Sequence, residues 1–189
     1  MMIGKVIIFS APSGAGKTTV VNHLLNVFPQ LEFSVSVCSR QKRENEIHGK
    51  DYFYVSADEF RLKIKNQEFI EWEEVYKGCY YGTLRSELQR IWQKANIAVF
   101  DVDVKGGMNL KRIFGYKALS IFISPPNLII LEQRLRSRST DTEESIQKRI
   151  NKASLEMQFA NQFDKILLNK DLKTTIETAE KWVKEWISI

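Results

Sequence analysis

Short apolar runs recur along the chain, with polar or amphipathic segments between them. KVIIF (residues 5–9), IAVFDVD (97–103), ALSIFIS (118–124) and KILLN (165–169) read as buried strands. Between them the pattern predicts helices over about 16–27, stopped by Pro29, and over about 83–95, 127–137, 142–161 and 174–187. The last has Trp182, Val183, Trp186 and Ile187 on its apolar side. Continuously apolar strands spaced by helices predict an α/β fold whose parallel sheet is covered on both faces. Residues 31–39, LEFSVSVCS, alternate around Phe33, Val35 and Val37 and predict one further strand.

Residues 52–82 break this pattern. YFYV (52–55) is a short strand, and Ser56 with Glu59 forms a capping box that starts a helix. FIEWEEVY (69–76) and CYYG (79–82) flank the turn pair Lys77-Gly78 and predict a hairpin. These alternating strands fit a small β-rich lobe inserted into the α/β core.

The 189 residues suit one compact domain, and 43% hydrophobic residues are enough for a core. Cys38 and Cys79 form no CxxC pattern, which argues against a disulfide scaffold or zinc site and fits a reducing compartment. The N-terminus lacks a signal-peptide apolar region, and no apolar run approaches the roughly 20 residues that span a bilayer. The expectation is a cytoplasmic protein with no membrane partner. A net charge of +5 admits nucleic acid or an anionic small molecule as partner. The basic residues lie in separate blocks (40–43, 134–138, 148–149), and no nucleic-acid-binding motif accompanies them, so no nucleic acid is expected.

The chemistry starts at SAPSGAGKTT (residues 10–19), directly behind the first strand. A loop there lies at the carboxyl edge of the sheet, and the following helix points its unpaired amides and positive dipole end into the same crevice. Gly14 and Gly16 let the backbone curl with its N–H groups inward. Lys17 adds a charge for the β and γ phosphates, and Thr18 a hydroxyl for Mg²⁺. The pattern G-x-x-x-x-G-K-[ST] is met except that Ala11 takes the first glycine position, which fits if its φ is negative. The loop predicts a nucleoside triphosphate site and leaves the acceptor open.

Further segments resemble the guanylate kinase family in order and spacing over nearly the whole chain: FSVSVCSRQKR (33–43), GKDYFYVSADEF (49–60), EFIEWEEV (68–75), YYGT (80–83), FDVDVKGG (100–107), SPPN (124–127), RLRSRSTDTEESIQKRI (134–150) and NKDL (169–172). The resemblance implies a P-loop NTPase-type core (1–34, 84–124 and 156–189), a GMP-binding lobe (35–83) and a helical lid (125–155). It implies transfer of the γ-phosphoryl of ATP to GMP, giving ADP and GDP, with Mg²⁺ accompanying ATP. Ser13, Gly14, Ala15, Gly16, Lys17, Thr18, Thr19 and Asn169 would bind ATP. Arg40, Arg43, Tyr52 and Tyr81 would hold the GMP phosphate, and Ser36 and Glu71 would read guanine. Thr83 would help at the base or phosphate, and Asp101 would sit on the GMP side and reach the metal through water. Lys17, Arg40, Arg134, Arg138 and Arg149 would stabilise the transferring group. The chain departs from the family at Ser137 and Ser139 (usually glycines), at Cys38-Ser39, at Gln41-Lys42 and at Lys105, where glutamine is common.

The residue chemistry is consistent with these roles. Guanidinium forks and phenols suit phosphate oxygens. A carboxylate accepts both guanine N1–H and N2–H, a donor pair adenine lacks, and Ser36 can donate to O6. Taken singly, Glu71 could be an exposed strand residue and Tyr52 and Tyr81 ordinary lobe packing. Two other classes remain: a catalytically silent guanylate-kinase-like interaction module, and a kinase for another monophosphate. Lys17 and Thr18 argue against the first, and Glu71 with Ser36 against the second. A monomer or homodimer acting on ATP and GMP, with dGMP possible, is expected.

Overall fold

The computed structural model describes residues 4–137 and 142–188. A five-stranded parallel sheet has the order β2 (Leu31–Phe33), β7 (Ile97–Val102), β1 (Val6–Ser10), β8 (Ala118–Ser124), β9 (Lys165–Leu168). The apolar runs are continuous because both faces are covered. Ile7 and Phe9 pack toward α1 (Lys17–Val27) and α7 (Leu172–Ser188), meeting Val20, Leu24, Ala179 and Val183. Val6 and Ile8 face α3 (Arg85–Gln93) and α4 (Val104–Phe114), meeting Leu88, Ile91, Leu110 and Phe114. α5 (Leu128–Arg136) and α6 (Glu143–Met157) pair through Leu131, Leu135 and Ala153.

A second sheet has the order β4 (Phe53–Tyr54), β3 (Val37–Cys38), β6 (Cys79–Leu84), β5 (Phe69–Tyr76). The β5–β6 hairpin forms as the Lys77-Gly78 turn predicts. The capping box also forms: Ser56 accepts from the Glu59 amide and Glu59 from the Ser56 amide, which starts α2 (Ala57–Lys65). Phe60 of α2 stacks on Phe69 and Tyr80, with centroids 4.4 and 5.4 Å apart, and closes this sheet's own core with Val37.

Two expectations need correction. The strand read over 31–39 is two strands in different sheets. Phe33 pairs with Val99 in the large sheet, whereas Val37 pairs with Phe53 and Gly82 in the small one. Apolar alternation runs through the crossing, so periodicity does not register it. The crossing backbone is held instead by a distant carboxylate: the Val35 amide donates to buried Glu87 (3.0 Å), itself forked to Arg90.

Helix α4 was not expected, because Gly106 and Gly107 stand in its first turn and glycine weakens helices. Asp103 compensates as N-cap, accepting from the Gly106 amide at 2.9 Å. The glycines allow close packing: a Cβ on Gly107 would collide with Ser10 Oγ at the end of β1. That contact sets the α4 N-terminus against the carboxyl edge of the sheet.

Candidate functional site

The loop after β1 curls through two left-handed residues, Gly14 and Gly16, both with φ +91°. Gly16 caps α1 without a side-chain acceptor, so the first helical amides face the loop's concavity. A Cβ at Gly16 would strike the Asn169 amide. Gln67 and Ala95 are the non-glycine residues with positive φ among the described residues, so Ala11 meets the condition set for it.

One cavity of about 530 Å³ joins this loop to the small sheet. Ser13 through Thr19 line one end, and Ser36, Arg43, Tyr52, Glu71 and Tyr81 line the other. Asp101 lies between them, with Arg149 reaching in from α6. Lys17 spans the junction: its ammonium ion-pairs with Asp101 and donates to the Val102 carbonyl at 2.6 Å.

Glu71 is at the far end, where Thr83 Oγ1 donates to it at 2.9 Å. Thr83 is wholly buried and does not line the cavity, so it meets this site through its hydrogen bond to Glu71. Burial raises the Glu71 pKa to about 7, and Asp103 and Glu73 push in the same direction against the Thr83 hydrogen bond. Burial likewise pushes Tyr52 up to about 12, so its phenol stays a hydrogen-bond donor at neutral pH.

Arg40 does not line the cavity either. Its guanidinium forks onto Glu46 with two bonds of 2.6 Å, donates from Nε to the Tyr81 hydroxyl at 3.1 Å, and lies over the rings of Tyr52 and Tyr54. Glu46 also accepts from the Arg43 amide and the Tyr54 hydroxyl. The Arg40 hydrogen bonds hold the Glu46 carboxyl at about 2 despite some desolvation. Glu46 therefore organises the basic loop. The sequence does not point to it, since an acid in a polar loop carries no geometric signal.

Two other expected residues serve the loop from behind. Asn169 is buried; its Nδ2 donates to the Ala15 carbonyl at 2.7 Å and its Oδ1 accepts from Thr175 at 3.3 Å. Its side chain is engaged with the loop and does not line the cavity. Arg134 donates to the Asn169 carbonyl at 2.9 Å and lies 3.5 Å from that of Ala15. Arg138 and Ser139 lie outside the described residues.

The cavity also takes in Glu73, Lys152 and Glu156, which motif reading passes over. Glu73 follows Glu71 by two on a strand, and Arg149, Lys152 and Glu156 follow helical spacing, so both periodicities carried a signal. Burial raises the Glu156 pKa, opposed by Lys152 at 3.5 Å. Asp103 lines the cavity too, but its carboxylate is engaged in capping α4.

Glu46 gives a direct test of how the basic loop is held. The resemblance implies GMP at this end of the cavity and ATP at the loop; on that expectation Glu46→Ala raises the KM for GMP about tenfold through the loss of several hydrogen bonds. The KM for ATP should stay within about twofold. Initial rates with each nucleotide varied in turn check this; equal changes in both would mean a general loss of structure.

The guanylate kinase family model matches residues 3–186. The chain is 50% identical to a guanylate kinase of Bacteroides fragilis over 98% of this chain and 91% of that protein. It is 44% identical to one of Porphyromonas gingivalis, over 97% and 98%. A crystal structure of guanylate kinase from Anaplasma phagocytophilum superposes with a TM-score of 0.76 at 28% identity, covering 98% of this chain and 87% of that one. With these matches running almost end to end, and with a phosphate loop and a half-buried carboxylate facing one cavity, the chain belongs to the guanylate kinase family.

Proposed function

We propose that this protein transfers the γ-phosphoryl group of ATP to GMP, giving ADP and GDP. The observation that carries the reading is the single cavity with a phosphate loop at one end and a half-buried, hydroxyl-supported carboxylate at the other. Phosphoryl transfer needs alignment, charge neutralisation and exclusion of water more than covalent help. In this reading the loop amides and Lys17 hold the ATP phosphates. Lys17 exchanges its contact with Asp101 for the β and γ oxygens. Arg43, Tyr52 and Tyr81 receive the GMP phosphate, with Arg40 fixing the Tyr81 hydroxyl. Ser36 and Glu71 take the guanine edge.

The residues that would hold Mg²⁺ are Thr18, exposed at the cavity, and Asp101 through water. Among the described residues no group of three or more His, Cys, Asp or Glu is placed to hold a metal. Mg²⁺ held by Thr18 and Asp101 would neutralise phosphate charge.

The lobe of residues 35–83 would carry GMP toward ATP, and residues 125–155 would cover the triphosphate. Among the described residues of that cover Arg149 is the arginine that lines the cavity, while Arg134 braces the loop at Ala15. No helix among the described residues is long and apolar enough to cross a membrane.

The test is ADP formation from ATP and Mg²⁺ with GMP, dGMP, AMP, UMP or dTMP as acceptor. Turnover confined to guanine nucleotides is expected. Turnover with another base would overturn the guanine assignment, and GMP binding without turnover would overturn the enzymatic one.

A further inference from the structure

Glu73 stands in the acceptor half of the cavity with one oxygen unused. Its Oε1 pairs with Lys105 at 3.0 Å, whereas Oε2 is buried with no hydrogen-bond partner. A buried carboxylate oxygen without a donor is costly, and in a binding cavity it marks a place where a ligand donor fits.

The hairpin register says which part of a nucleotide lies there. Glu71 is opposite Thr83, and Glu73 is opposite Tyr81. All four side chains belong to one face, because directly paired residues and residues two apart share a face. The proposed base reader, Glu71, marks the base end. Tyr81, bonded by Arg40, marks the phosphate end. Glu73 therefore sits one strand step, roughly 7 Å, from the base reader and on the way to the phosphate. The part of a nucleoside 5′-phosphate between base and phosphate is the sugar, and its hydrogen-bond donors are the 2′ and 3′ hydroxyls. A carboxylate here would repel the phosphate itself, but Lys105 balances its charge and leaves the acceptor oxygen available.

We infer that Glu73 reads the ribose of the acceptor nucleotide, its Oε2 accepting a hydrogen bond from the 2′ or 3′ hydroxyl, so that this site prefers the full ribose over an analogue lacking that hydroxyl. This rests on the assignment of the acceptor site to GMP. Lys105 holds the carboxylate in place across the gap between α4 and β5. The departure from the family at Lys105 thereby acquires a role.

The experiment measures kcat/KM for GMP, dGMP, 3′-deoxy-GMP and IMP with the wild-type chain, Glu73→Ala, Glu73→Gln and Glu71→Gln. The ratios between substrates are independent of the fraction of folded enzyme. The wild type is expected to favour GMP over at least one deoxy analogue by roughly tenfold or more, as for a hydrogen bond to a charged acceptor. Glu73→Ala should remove that preference while leaving GMP over IMP unchanged. Glu73→Gln, which keeps an oxygen acceptor, should retain part of it. Glu71→Gln should do the converse, losing GMP over IMP and keeping the sugar preference. Unchanged deoxy ratios in Glu73→Ala would overturn the inference, as would a loss confined to GMP over IMP, which would put Glu73 on the base. A wild-type chain that phosphorylates none of the guanine nucleotides would overturn the acceptor-site assignment instead.

Discussion

Lys17→Met is expected to lower turnover by about 10³-fold or more, the scale seen when a preorganised charge is removed from a transferring phosphoryl group. Methionine keeps much of the length and the apolar stem but removes the charge. The loop would keep its shape, because that shape comes from Gly14, Gly16 and the Asn169 bond to Ala15 rather than from Lys17. Binding of GMP should change little, since the acceptor end is built on the other sheet. Lys17→Arg should not restore activity: a planar fork is wider than an ammonium ion and does not reproduce the point charge that Lys17 sets beside Asp101 and the Val102 carbonyl. Single-turnover phosphoryl transfer together with equilibrium GMP binding checks this. Retained turnover in Lys17→Met would remove Lys17 from the chemistry, and lost GMP binding would mean that the variant had disturbed the whole cavity.

Glu71→Gln is expected to reduce the preference for GMP over AMP by at least about 10²-fold, because it replaces one of two acceptors by a donor facing guanine. Its pH dependence is a second signature. Burial raises the Glu71 pKa to about 7, so below that pH the carboxyl is increasingly protonated in the free protein. Since two guanine donors need the carboxylate, kcat/KM for GMP should fall about tenfold per pH unit on the acid side. A phosphate monoester also titrates near 6. That effect is common to both enzymes, so the difference between wild-type and Glu71→Gln profiles isolates the carboxyl. Coincident profiles would sink the assignment. The sign for stability is opposite. The folded chain holds this proton more tightly than the unfolded one, so Glu71 lowers stability as pH rises from about 4.5 to 7, and Glu71→Gln should flatten that slope.

Much of the fold was legible because local rules agreed with the tertiary outcome. The strands at 5–9, 97–103, 118–124 and 165–169 were continuous apolar runs, which occur when helices cover both faces of a sheet. The capping box at Ser56 and the hairpin around Gly78 are set by residues close in sequence. The phosphate loop was legible for the same reason, since its glycines and its charged lysine lie within ten consecutive residues. Helix α4 was hidden because its first-turn glycines answer to packing against Ser10 rather than to helix propensity. The division of residues 31–39 between two sheets was hidden because it depends on Val99, Gly82 and Glu87, all far along the chain.

By itself, then, the sequence determined the α/β class, the triphosphate loop with Lys17 and Thr18, and, through the ordered motifs, the guanylate kinase family. The tertiary structure decided which of these side chains face the shared cavity. It turned Asn169 and Arg134 to brace the loop, Thr83 to orient Glu71, and Glu46 to fork Arg40, and it left one oxygen of Glu73 without a partner. The physical reason is reach. Backbone curl and hydrophobic period are local and can be read along the chain, whereas a side chain's partner and its burial depend on elements that only the packed sheets bring together.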